Sequence, residues 1–161
     1  MKAADVMISK VITVGPDAQL QDVAQTLLAN RISAMPVVGS DGRLVGIVSE
    51  GDLMRRVESG TERRRSWWLS LLTGREVLAA EYVKEHSRKV SDVMTREVIT
   101  VKPETPLYDI ATLLERNGIK RVPVVQDGKV VGIVSRANLL QALASYRTPI
   151  EGSAPNDAAI R

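Results

Sequence analysis

Hydrophobic positions along this chain of 161 residues fall into short runs whose period changes from strand to helix and back, and they do so twice. Val11-Ile12-Thr13-Val14 is an apolar, β-branched run closed by Gly15-Pro16, and Val98-Ile99-Thr100-Val101 before Lys102-Pro103 is its twin. Both runs predict buried strands. Downstream, with Asp17 or Glu104 near the helix start, Leu20, Val23, Ala24, Leu27 and Leu28 recur at helical spacing, as do Leu107, Ile110, Ala111 and Leu114. Asn30 and Asn117-Gly118 are the predicted stops, because Asn and Gly tolerate the left-handed backbone of a helix C-terminus. Met35-Pro36-Val37-Val38 and Leu44-Val45-Gly46-Ile47-Val48 then predict two strands around an Asp41-Gly42 turn, and Asp127-Gly128 repeats that hairpin signal. Residues 50–57 and 136–145 predict closing helices.

The two passages are one sequence written twice. Residues 5–38 and 92–125 share 17 of 34 positions at a constant offset of 87, and after a one-residue length difference the match resumes from Asp41 and Asp127 through Ser49 and Ser135. A repeat of this kind decides architecture before any single residue does. Each unit predicts β-α-β-β-α, with a helical crossover that sets strand one parallel to strand two. The fold class is therefore α/β (α+β), with two such repeats packed sheet to sheet in pseudo-two-fold symmetry. Repeat one takes residues 1–57, a helical connector 58–89, repeat two 90–147, and a disordered tail 148–161. In the connector, Ser59-Gly60-Thr61-Glu62 resembles a capping box, and Trp67, Trp68, Leu71 and Leu72 form an apolar face.

Composition narrows the function. The absence of Cys removes a thiolate nucleophile, a disulfide framework and Cys-ligated metal, and fits a reducing compartment, the cytoplasm. No apolar run approaches the length of a membrane span. The single His, His86, has no acid or nucleophile placed beside it, and there is no Gly-rich phosphate loop or metal-spaced cluster, so the chain reads as a non-enzyme needing no cofactor or metal. A net charge of +3 is concentrated in Arg63-Arg64-Arg65 rather than spread along a groove.

The combination of DVM, VITV-x-P, a strand carrying PVV and a closing G-I-V-S-x₂-[DN]-L resembles the CBS domain, named after cystathionine β-synthase; two in tandem make a Bateman module. The resemblance implies a regulatory, energy-sensing kind of module that binds AMP, ADP or ATP in clefts between repeats, dimerises with its own kind and acts on a separate regulated protein. It also implies two composite sites. The first, read as the stronger, combines Ile47, Ser49 and Asp52 with Val98, Ile99, Ile119, Lys120 and Arg121. Here Asp52 holds the ribose, Ser49 a phosphate or ribose oxygen, the backbone of Val98 and Ile99 the base, and Lys120 or Arg121 the phosphate. The second combines Ile12, Ile32 and Ser33 with Ile133, Ser135 and Asn138. It is read as the weaker, because Asn138 replaces the Asp and Ser33-Ala34 supplies no cation.

Plainer readings compete. Asp52 also suits a helix N-terminus, where a carboxylate meets the dipole. Arg63 to Trp68 carries the residue types that bind nucleic acid, since Arg contacts phosphates and Trp stacks on bases. A subunit interface through Trp67 and Trp68 is favoured over that reading, because Trp and Arg are enriched at such interfaces. The remaining alternative is a structural or oligomerisation module with vestigial clefts.

Overall fold

A computed structural model describes residues 1–53 and 89–146. The first repeat contains α1 (Ala3–Val6), α2 (Leu20–Asn30), β1 (Ala34–Val38), β2 (Leu44–Ser49) and a helical turn, α3, at 50–53. The second opens on a 3-10 turn (Val90–Asp92) and continues with α4 (Leu107–Arg116), β3 (Arg121–Gln126), β4 (Lys129–Ser135) and α5 (Arg136–Ser145). The connector over 58–88, with Arg63 to Arg65, Trp67, Trp68 and His86, lies outside the described residues, as does the tail from Thr148. The architecture is the mixed α/β one that the sequence predicts, with a two-stranded antiparallel sheet in each repeat.

The hairpins follow their turn chemistry. Asp127 and Gly128 both take positive φ, 53° and 80°, and close a two-residue turn between Gln126 and Lys129. In the first repeat Gly42 takes φ 78°, and Asp41 Oδ1 accepts from the Arg43 N–H at 3.0 Å; the extra residue of this repeat sits in that loop. The two turns meet, with the Leu44 N–H donating to the Gly128 carbonyl at 3.0 Å.

The predicted first strands are shorter than the apolar runs that suggested them. Val14 makes a single parallel bridge with Val37, and Val101 makes one with Val124. Val14 donates to the Pro36 carbonyl and accepts from the Val38 N–H; Val101 does the same with Pro123 and Val125. The next rung upstream would need the N–H of Pro36 or Pro123, and proline has none. The ladder stops there. Ile12 and Ile99 are thereby left outside it, with no backbone hydrogen bond among the described residues.

Helix ends also depart from the pattern. Asn30 is still helical, and it is Arg31 that takes the left-handed conformation (φ 52°, ψ 41°), at the position where the second repeat has Gly118 (φ 61°). Asp17 and Glu104 fall three residues before the helices begin, and Asp17 pairs with Lys89 Nζ at 3.2 Å instead of capping. The apolar stripe of α2 is only partly covered. Val23 and Leu27 are buried, whereas Leu28 at the stripe's edge is 79% exposed.

Each repeat's core is completed by the other repeat's leading segment. Ala3 is buried in the second core with Val101, Ile110, Leu114, Val122, Val124 and Val134, and Val6 and Met7 pack on it. Val90 and Met94 are buried in the first core with Val23, Leu27, Met35, Val37 and Val48. Backbone hydrogen bonds match across the exchange. Ala3 and Ala4 donate to the carbonyls of Thr105 and Pro103, as Val90 and Ser91 donate to those of Ala18 and Pro16. Ile8 exchanges two bonds of 3.0 Å with Ile133, and Thr95 two of 2.9 Å with Ile47.

The exchange explains the two motifs farthest apart in each repeat. The Met of each DVM lies against the Gly of the opposite V-G-I-V strand, Met94 on Gly46 and Met7 on Gly132. A Cβ on Gly46 would stand 2.6 Å from Met94 Sδ and 3.0 Å from the Thr95 carbonyl oxygen, with backbone on one side to prevent relaxation. Overpacking of this kind costs ~1–3 kcal/mol. Gly46→Val is therefore expected to lower unfolding stability by about 2 kcal/mol in urea titrations; an unchanged midpoint would show that Met94 does not seat on this strand.

Candidate functional site

The exchange leaves a cavity of about 520 Å³ with walls from both repeats. Ile12, Ile32 and Ser33 of the first and Ile133, Ser135 and Asn138 of the second all line it, so the structure assembles every member of the second predicted set. Arg121, which the sequence assigns to the first set beside Lys120, lines it as well. Its guanidinium donates to Ser33 Oγ. Lys120 is not among the residues that line the cavity, so Lys120 and Arg121 do not share it. The missing cation beside Ser33, one of the two reasons for ranking this set the weaker, is thus supplied from the other repeat. Burial pulls the Arg121 pKa below its ordinary value, and the carboxylate of Glu50 acts in the opposite direction.

Ser135 and Asn138 form a capping box at the start of α5. Asn138 Oδ1 accepts from the Ser135 N–H at 2.8 Å and from its hydroxyl at 2.7 Å, while Ser135 Oγ accepts from the Asn138 N–H at 3.3 Å. A backbone N–H can only donate, so the atom facing it is the amide oxygen, and Nδ2 is turned away from the cap. Asn138 is 9% exposed, and its Nδ2 has no partner among the described residues. Asn138 thus joins the cavity wall with its amide oxygen already engaged by Ser135. That oxygen is spent on the helix, and the group left over is a buried donor.

Ser49 and Asp52 make the same box in the first repeat, with Asp52 Oδ2 accepting from the Ser49 N–H at 2.8 Å and from its hydroxyl at 3.0 Å. The plainer reading of Asp52, a helix-start carboxylate, describes this contact. Of the remaining first-set residues, Ile47 is bridged to Thr95, and Ile99 and Ile119 pack against the second core. Val98 is half-buried and donates its N–H to the Arg96 carbonyl; Lys120 is exposed, and its carbonyl accepts from the Arg136 N–H at 3.0 Å.

Sequence reasoning missed three charged residues that line the cavity: Lys10, Arg31 and Glu50. A usable signal was present for Arg31, a long side chain where the duplicate has glycine. Among the described residues no group of three or more His, Asp or Glu side chains could hold a metal ion, and no helix is long and apolar enough to cross a membrane.

A family model described as the CBS domain matches residues 3–59 and 90–145. The chain belongs to the CBS domain family. Protein MJ1426 of Methanocaldococcus jannaschii is 40% identical over 154 residues, covering 89% of this chain and 91% of that one. The CBS domain of a CBS domain containing membrane protein from Sphaerobacter thermophilus is 39% identical, covers 88% of this chain and 86% of its own, and superposes with a TM-score of 0.68. The structure of CBSX2 in complex with AMP is 27% identical, with coverage of 89% and 96% and a TM-score of 0.69; CBSX2 is a chloroplastic protein of Arabidopsis thaliana.

Both CBS repeats thus use the last polar residue of the motif to cap a helix. Loss of such a contact costs ~1 kcal/mol, so Asn138→Ala and Asp52→Ala are each expected to lower stability by about that amount in urea titrations. Equal midpoints for either variant and the native chain would mean that its box does not hold the helix.

Proposed function

We propose that the chain is a regulatory module that takes an adenine nucleotide of the AMP, ADP or ATP kind into the cleft between its CBS repeats and signals by a change of shape or of partner affinity. The observation that carries this reading is the cavity itself, whose walls come from both repeats. A ligand there touches both halves and favours whichever arrangement of them fits it, which is all that regulation by binding requires. The apolar side chains of Ile12, Ile32 and Ile133 suit a base, and the unpaired backbone of Ile12 suits its hydrogen-bonding edge. Asn138 and Ser135 suit the sugar, and Arg121 with Ser33 the phosphate. The AMP-bound structure of CBSX2 supports the choice of nucleotide.

The repeat extends the reading to a second cleft made of Ile47, Ser49 and Asp52 with Val98, Ile99, Ile119 and Lys120. Exposed Tyr108 on α4, and Leu140 and Leu143 on α5, support self-association into a homodimer. The regulated target is then a separate protein.

Titration calorimetry and thermal unfolding with AMP, ADP, ATP and S-adenosylmethionine test the reading. A ligand at 100 times its dissociation constant adds ~2.7 kcal/mol of stability, a shift readily seen in a melting curve. Arg121→Ala is expected to weaken AMP binding by roughly tenfold or more, the worth of one charge-assisted contact. Melting temperatures indifferent to all four compounds would end the nucleotide reading.

A further inference from the structure

The described cavity and the positions that the repeat relates to it share a scaffold but not a charge. The described cavity carries Lys10, Arg31 and Arg121 against the single carboxylate of Glu50, an excess of two positive charges. The positions that the repeat relates to its polar residues hold Glu97 for Lys10, Gly118 for Arg31, Ala34 for Arg121, Arg136 for Glu50, Lys120 for Ser33 and Asp52 for Asn138. Those charges cancel. Hydrogen bonding leans the same way. In the described cavity the buried amide of Asn138 has only donors left to offer, whereas the carboxylate of its counterpart Asp52 carries no donor.

Arg31 is the sharpest of these differences. Its backbone is left-handed, a conformation that glycine adopts without strain and a longer side chain does not, and the duplicate has glycine there. Packing does not account for the arginine. The residue is exposed, and neither its side chain nor that of Lys10 has a hydrogen bond or ion pair among the described residues. Strain held at a cavity wall by an unpaired cation is what a binding residue looks like.

The geometry points to Arg31, assisted by Lys10, as the selectivity residue that makes the described cleft the one choosing a ligand for its negative charge: a phosphorylated nucleoside over the bare nucleoside. This rests on the nucleotide reading above and goes beyond it, and it reverses the expected order of the two clefts for anionic ligands. Arg121 is tied to Ser33 and faces Glu50, so the charge not already engaged is that of Arg31 and Lys10.

The test compares AMP with adenosine, by calorimetry and by competition, on the full chain and on Arg31→Gly and Lys10→Glu, each variant installing the residue of the other repeat. In Arg31→Gly the ratio of AMP to adenosine affinity is expected to fall by roughly tenfold with adenosine unchanged, while the melting temperature without ligand does not drop. Lys10→Glu should lower the same ratio and serves as the check should Arg31→Gly fold poorly. The AMP affinity of the native chain should also weaken with added salt more steeply than that of either variant. An unchanged ratio in both variants, or adenosine affinity falling as far as that of AMP, overturns the assignment. A native chain that binds neither AMP nor ATP instead removes the nucleotide reading on which it stands.

Discussion

Everything in this molecule depends on the seating of each repeat's leading segment on the other repeat's sheet. Ala3 and Val90 are fully buried in cores to which their own repeats contribute only the leading segment, and Met7 and Met94 occupy the space left by Gly132 and Gly46. Burying an aliphatic side chain is worth ~1.5–3 kcal/mol, so separating the halves would expose several such contributions at once. The two repeats are therefore one folding unit. Their relative placement, and with it the shape of the cleft, is set by backbone hydrogen bonds such as those between Ile8 and Ile133 rather than by surface complementarity alone.

A second constraint, the proline in each hairpin, links that scaffold to the site. Pro36 and Pro123 are fully buried and cannot extend the parallel ladder, so the chain leaves the sheet after one bridge on the upstream side. The backbone of Ile12 is thereby brought to a cavity wall with its hydrogen-bonding capacity intact. A longer strand would have consumed it. The same pair of elements thus supplies both the stability of the sheet and the unpaired groups beside it.

The capping boxes show how a duplicated scaffold diverges without disturbance. Asp52 and Asn138 perform the same helix-start role with one oxygen each, so the exchange of carboxylate for amide costs the fold little. It changes the other atom of the pair from an oxygen to an amide nitrogen, which donates instead of accepting. Arg31 and Gly118 diverge in the same manner, since both occupy the left-handed position and differ only in what projects from it.

Much was legible in the residues. The repeat, the hairpins with their Asp-Gly turns and the crossover helices follow from periodicity and turn chemistry, which are local properties of the chain, and the family from its resemblance in motifs. Six residues that line the cavity were named in advance by the family resemblance. The direction of Arg121 was not. Whether a side chain at a strand entrance faces one cleft or the other depends on the twist and partners of that strand, and only the packed structure decides them. The exchange of leading segments was equally hidden, because DVM reads identically whether it packs on its own repeat or on the other. Sequence by itself determined which elements form and which residue types are available; tertiary structure decided which repeat each segment completes, since that choice is made by non-local burial and has no local signature.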